Sequence, residues 1–171
     1  MAEDVRGMVV DRGQGRLGYV VSATLKIALY PRIRAVLLFR IANAFYKRRL
    51  GILAYAIQAH ILKISGAELH PAANIGPGFC LVHSNGVVIG DRATIGAHFI
   101  CMHQVTVGDS GKGGGQPTIG EWVTASAGSK ILGGITVGDQ AVIGANSVVL
   151  ADVPPKGVAV GSPARVVKIR E

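Results

Sequence analysis

His83 and His103 are set apart from the other three histidines of the chain by their spacing. His83 lies two residues after Leu81 and His103 two residues after Cys101, and both leading residues begin a unit of a six-residue repeat. Counting Leu81, Ile89, Ile95 and Cys101 gives three units, so if three units close one coil the two imidazoles share a corner on neighbouring coils. Adjacent strands would then hold them roughly 5 Å apart. An imidazole with a pKa of about 6.5 suits removal of the proton from an alcohol that attacks a thioester. A second imidazole beside it can bind the acceptor or a developing oxyanion. The competing reading is a pair of solvent-exposed corner histidines. His60 in the helical segment and His98 on a corner read as structural, and His70, in HPAA, reads as a turn residue.

The same arithmetic places Ala127 and Ala145, 18 residues apart, on one corner. Small side chains there leave a groove in which an extended cosubstrate such as coenzyme A fits, its amides facing the N–H and C=O groups of the edge. Lys112, Lys130, Arg165 and Lys168 are candidate partners for its phosphates, and Gly108 and Ser110 for contacts beside them. Each basic residue taken alone reads as a solvated surface charge.

The element that must position these residues is the repeat itself. Aliphatic markers stand at Leu69, Ile75, Leu81, then after a two-residue slip at Ile89, Ile95, Cys101 and Val107; the phase returns at Ile119, Ala125, Ile131, Val137, Ile143 and Val149. Gly follows many markers, as in IGPG, IGDR and VGDQ, and a small or apolar residue recurs four positions on, as at Ala73, Phe79 and Ala93. A six-residue period cannot form a continuous helical stripe. It predicts a solenoid in which each hexad supplies a short strand and a corner, three closing a triangular coil, with Gly allowing the tight corners. The segment GDSGKGGGQP, from Gly108 to Pro117, breaks the repeat and predicts a loop extruded from a corner, a common place for function.

Upstream, apolar residues from Leu17 to Ile64 recur at helical spacing, interrupted near Pro31 and Gly51, and predict two or three short helices. The chain therefore divides into a basic helical arm at 1–66, an all-β solenoid at 67–154 with a loop at 109–118, and a C-terminal segment at 155–171. Between Arg12 and Ala67 there is no Asp or Glu, while Arg16, Arg32, Arg34, Arg40 and several further cations contribute to a net charge of +8. The arm reads as a cap on the solenoid or as a basic surface for an anionic membrane or partner. Its aromatics Phe39, Phe45, Tyr46 and Tyr55 fall at helix-core spacing, which argues against nucleic-acid binding. Acidic Glu3 and Asp4 stand where a signal peptide would be basic, and no apolar run reaches the ~18 residues of a membrane span. The two cysteines, Cys80 and Cys101, lack metal-ligand spacing. A reduced, cytoplasmic protein without structural metal is expected.

The stretches ELHPAANIGPGFCLVHSNGVVIGDRATIG, VTVGDSGKGGG and SKILGGITVGDQAVIGANSVVLADVPPKGVAVGSPARVVK resemble the serine acetyltransferase family, over about the last 105 residues. The preceding YPRIRAVLLFRIANAFYKRRLGILAYAIQAHI is similar to that family's last helices before its solenoid, and most of its large N-terminal helical domain has no counterpart here. The resemblance implies a left-handed parallel β-helix of hexapeptide repeats, a homotrimer with sites between neighbouring solenoids, and metal-free transfer from acetyl-CoA. His83 falls at the position of the catalytic base. Glu68 falls at that of the Asp that orients it, one methylene longer.

Departures concern the acceptor. Val82 replaces an Asp that contributes to serine binding, Gly115 and Gln116 replace a loop Arg-His pair that engages the acceptor carboxylate, and Asp91 replaces a Glu. His103 resembles a sister group, the O-acetyltransferases of exopolysaccharide and capsule synthesis. The C-terminus VVKIRE lacks the long tail ending in Ile that docks into cysteine synthase, so no such complex is expected. These features predict an acetyl-CoA-dependent O-acetyltransferase of a small hydroxyl compound, with a sugar or modified amino acid ahead of free L-serine. The alternatives are a short-form serine acetyltransferase of cysteine biosynthesis and a catalytically inactive scaffold trimer, the latter opposed by His83, Glu68 and the groove.

Overall fold

The computed structural model describes residues 1–8 and 16–171. Arg12, part of the basic arm, lies outside the described residues. Four helices lead the chain: α1 (Ala2–Met8), α2 (Arg16–Leu29), α3 (Pro31–Lys47) and α4 (Gly51–Ser65). Pro31 and Gly51, expected as interruptions, are the first residues of α3 and α4. Proline suits a helix start because the N–H it lacks would have no intrahelical partner there. Helix α4 stops at Gly66, which takes the left-handed conformation at φ 67° that a side chain would resist. Helix α3 buries Ile33, Val36 and Phe39, one per turn, against the first coil. Helix α1 was not foreseen.

The arm is less of a solvated cationic surface than its composition suggests. Arg40 bonds the buried carboxylate of Asp4 at 2.7 and 3.2 Å and donates to the carbonyls of Ile75 and Gly76 in the first coil. Asp4 also accepts from the Phe79 backbone N–H at 2.9 Å, so α1, α3 and the solenoid meet on one carboxylate. Burial raises its pKa, but the Arg40 hydrogen bonds and charge outweigh that and hold it below the usual aspartate value. Among the described residues no helix is long and apolar enough to cross a membrane.

From Glu68 onward the chain winds as a left-handed β-helix of about five turns with three parallel faces. Face A stacks Glu68–Leu69, Val88–Ile89, Thr106–Gly108, Lys130–Leu132 and Val148–Val149. Face B stacks Asn74–Ile75, Thr94–Ile95, Thr118–Ile119 and Thr136–Val137. Face C stacks Cys80–Leu81, Ile100–Cys101, Thr124–Ala125 and Val142–Ile143, continued by an antiparallel hairpin of Gly157–Gly161 and Ala164–Ile169. Every marker of the repeat is the inward residue of its strand, and the markers fall into columns in strict register: Leu69, Ile89, Val107, Ile131 and Val149 on face A, and Leu81, Cys101, Ala125 and Ile143 on face C. Fully burying one such aliphatic contributes roughly 1.5–3 kcal/mol. The column is therefore the main stabilising feature and holds each corner at a fixed height. The two-residue slip between Leu81 and Ile89 lengthens only the corner from face C to face A on the first coil, which bears His83.

Candidate active site

Residues two positions after the face C markers form the ridge where face C turns into face A: His83, His103, Ala127 and Ala145. Backbone hydrogen bonds join its rungs, from Gln104 N–H to the Asn85 carbonyl, Gly128 N–H to His103 and Asn146 N–H to Ala127, each at 2.9 Å. The two exposed imidazoles meet edge to face with ring centres 5.6 Å apart, close to the separation expected from the repeat. On the next two coils the two alanines continue the ridge as a strip of small side chains. One ridge thus carries both the groups able to move a proton and a run of small side chains.

Lys130 also reaches this ridge, where its ammonium donates to the carbonyls of Gln104 and, at 3.0 Å, Gly128. It ties the corner beneath His103, so a role in phosphate binding would need those bonds to break. Glu68 is exposed on face A, one coil below Val88, and among the described residues its carboxylate makes no hydrogen bond or ion pair with His83. His70 accepts from the Ala72 N–H at 3.1 Å and packs edge to face on Tyr46 and Tyr55, and His98 stacks on Trp122 at 3.9 Å. Both fit the structural roles expected of them.

The remaining candidates gather elsewhere. Where face A turns into face B, Asp91, Gly108, Ser110, Lys112 and Gln116 surround the extruded loop. Gln116 donates from Nε2 to Asp91 and accepts from the Arg92 N–H at 3.2 Å, pinning the end of the loop to the coil below. The exposed Arg92 guanidinium lies 3.8 Å from Asp91 and 3.7 Å from Asp109, and such pairs contribute little in solvent. Gly115 sits at φ 89°, a backbone position suited to glycine. Arg165 and Lys168 are exposed on the C-terminal hairpin. One chain therefore does not unite the imidazoles with the loop, since the width of face A lies between them.

One residue beside His83 escaped the sequence reading. Arg32, in the first turn of α3, donates from a terminal nitrogen to the carbonyl of Val82, the residue before His83. It shares a cleft with Tyr30, Ser65, His83, Ser84 and Asn85, between the arm and the ridge. Fifty residues separate Arg32 from Val82, and nothing in the local sequence joins them.

The chain matches no protein-family model. It is 46% identical over 143 residues to the serine acetyltransferase of Helicobacter pylori, covering 82% of this chain and 84% of that one. The structure of the Neisseria gonorrhoeae serine acetyltransferase in complex with serine superposes with a TM-score of 0.84 at 34% identity, over 96% of this chain and 66% of that one. The Brucella abortus serine acetyltransferase in complex with coenzyme A superposes with a TM-score of 0.87 at 33% identity, over 99% of this chain and 67% of that one. The chain thus spans most of the Helicobacter enzyme and about two thirds of the other two. A fold and a sequence shared at this level make the chain a member of the serine acetyltransferase family of acetyl-CoA-dependent acyltransferases.

Proposed function

We propose that the chain transfers the acetyl group of acetyl-CoA to the hydroxyl of L-serine, within a trimer whose sites lie between neighbouring solenoids. The observation that carries the reading is the imidazole pair at the head of a small-residue ridge, in a chain 46% identical to an enzyme named for serine. The sequence-based expectation put a sugar or modified amino acid ahead of L-serine because of Val82, Gly115, Gln116 and His103. The relatives support the short-form serine acetyltransferase instead, since the Helicobacter enzyme is matched over 84% of its length and is itself a short chain.

In this mechanism His83 accepts the hydroxyl proton as the oxygen attacks the thioester carbonyl. His103, 5.6 Å away ring to ring, is placed to donate to the acceptor or to the tetrahedral oxyanion. Collapse of the intermediate expels the CoA thiolate, which takes up the proton held on His83, giving O-acetylserine and CoA. The pantetheine arm lies along Ala127 and Ala145, and the loop bearing Gly108, Ser110, Lys112 and Gln116 comes from the neighbouring copy. Glu68 would orient His83 only once a side-chain rotation or the neighbouring chain brings the two together.

The test is thiol release from acetyl-CoA with L-serine, neutral sugars and lipid- or nucleotide-linked sugars as acceptors. L-Serine is expected to give the highest kcat/KM. A sugar preferred over L-serine would replace this reading with that of the polysaccharide-modifying relatives, and no release with any acceptor would leave the inactive scaffold.

A further inference from the structure

We infer that Arg32 holds the carboxylate of the acceptor, a role that rests on the reading of His83 as base and L-serine as acceptor. The guanidinium is fixed by its bond to the Val82 carbonyl and by the Tyr30 ring, 5.3 Å from its central carbon. Its Nε is buried without a hydrogen-bond partner, so the planar fork has a donor still unused. Among the described residues no carboxylate of the chain pairs with it. A cation in the first turn of a helix, with no acidic residue there to offset it, is opposed by the helix dipole. Arg32 therefore sits where folding alone would not favour it, beside a cleft, with its charge unneutralised.

The missing partner is defined by charge and by the shared cleft. The guanidinium bonds the peptide carbonyl immediately before His83, and the two side chains line one cleft, so an acceptor whose hydroxyl is on the His83 imidazole shares that cleft with Arg32. L-Serine carries a carboxylate two carbons from its hydroxyl oxygen, and carboxylate is the group that a guanidinium fork takes in bidentate fashion. A neutral sugar offers nothing equivalent. Arg32 thus supplies from the helical arm the cation that the extruded loop lacks at Gly115 and Gln116. The Val82 side chain cannot bind a charged group, but its backbone carbonyl holds the arginine.

The experiment compares L-serine with L-serinamide, in which the carboxylate is a neutral amide, using wild type, Arg32→Ala, Arg32→Gln and Arg32→Lys. Arg32→Ala and Arg32→Gln are expected to raise KM for L-serine about tenfold to hundredfold, the usual range for a lost charged hydrogen bond. KM for acetyl-CoA should change little, and the loss with L-serinamide should be much smaller than that with L-serine. Arg32→Lys should recover part of the loss, since it keeps the charge without the fork. An unchanged KM for L-serine in the Gln variant, or equal losses with serine and serinamide, overturns the role of Arg32 while leaving the serine reading intact. A wild-type protein that neither acetylates L-serine nor binds it in calorimetry overturns both.

Discussion

The two ridges that border face A are built differently. On the ridge between faces C and A, the corners bearing His83, His103, Ala127 and Ala145 are joined rung to rung by backbone hydrogen bonds at 2.9 Å and rest on a fully buried column. On the ridge between faces A and B the repeat opens into a glycine-rich loop, fastened by Gln116 to Asp91 and by the Gly133 N–H to the Gly108 carbonyl at 2.9 Å. Groups that must exchange a proton need positions fixed to fractions of an ångström, which a hydrogen-bonded rung supplies. Groups that admit and release a substrate are better carried on a segment that can adjust. In the proposed mechanism this division assigns the proton transfer to the solenoid ridge and substrate contacts to the loop.

This contrast is broken most severely by His83→Ala, which should lower kcat at least about a hundredfold, general-base catalysis contributing about 10²–10⁴. Its melting temperature should match wild type, since an exposed corner imidazole stabilises little. A kcat within a few-fold of wild type would move the base to His103.

Next in size is Asp4→Asn, which acts on stability. Removing one partner of a buried pair costs about 3–5 kcal/mol, read as a lower denaturant midpoint for the variant. The folded pKa of Asp4 lies below its ordinary value of 3.8, so its contribution is present above that value and is lost as pH falls through the folded pKa. The gap between wild type and variant should therefore be full near neutrality and close in strong acid. A gap independent of pH would mean that the Arg40 contact is not ionic.

The smallest effect is expected from Gln116→Ala, which unties the loop without touching a rung. A severalfold rise in KM with kcat nearly unchanged is the expected split, read from initial rates at varied L-serine and acetyl-CoA. A large fall in kcat would place the loop in the chemical step and erase the distinction between the ridges.

The solenoid was legible because its signal is repeated: each marker from Leu69 to Val149 predicts its own burial, and the spacing of Leu81 and Cys101 alone brings His83 and His103 together. The arm carries no such redundancy. Its helices follow from apolar spacing, Pro31 and Gly51, but Asp4, read only as an acidic residue unlike a signal peptide, is the buried anchor of α1. Arg32 counted only towards net charge, because its partner lies in another element and no local pattern encodes a contact between a helix and a coil. The substrate expectation leaned on single substitutions at Val82 and Gly115 and did not weigh what a distant residue could restore.

In the proposed mechanism a second copy joins the two ridges, and complementation measures this directly. A His83→Ala chain is paired with a chain whose loop residues 109–117 are replaced by a short turn; each is nearly inactive alone. Co-expressed mixed trimers should recover activity, because some interfaces pair an intact His83 ridge with an intact loop, roughly a quarter of the sites in a random mixture of a cyclic assembly. Recovery of thiol release with L-serine well above either parent is the predicted result. Mixed trimers, verified by a tag on each chain, that stay as inactive as their parents would contradict a site assembled from two neighbouring solenoids.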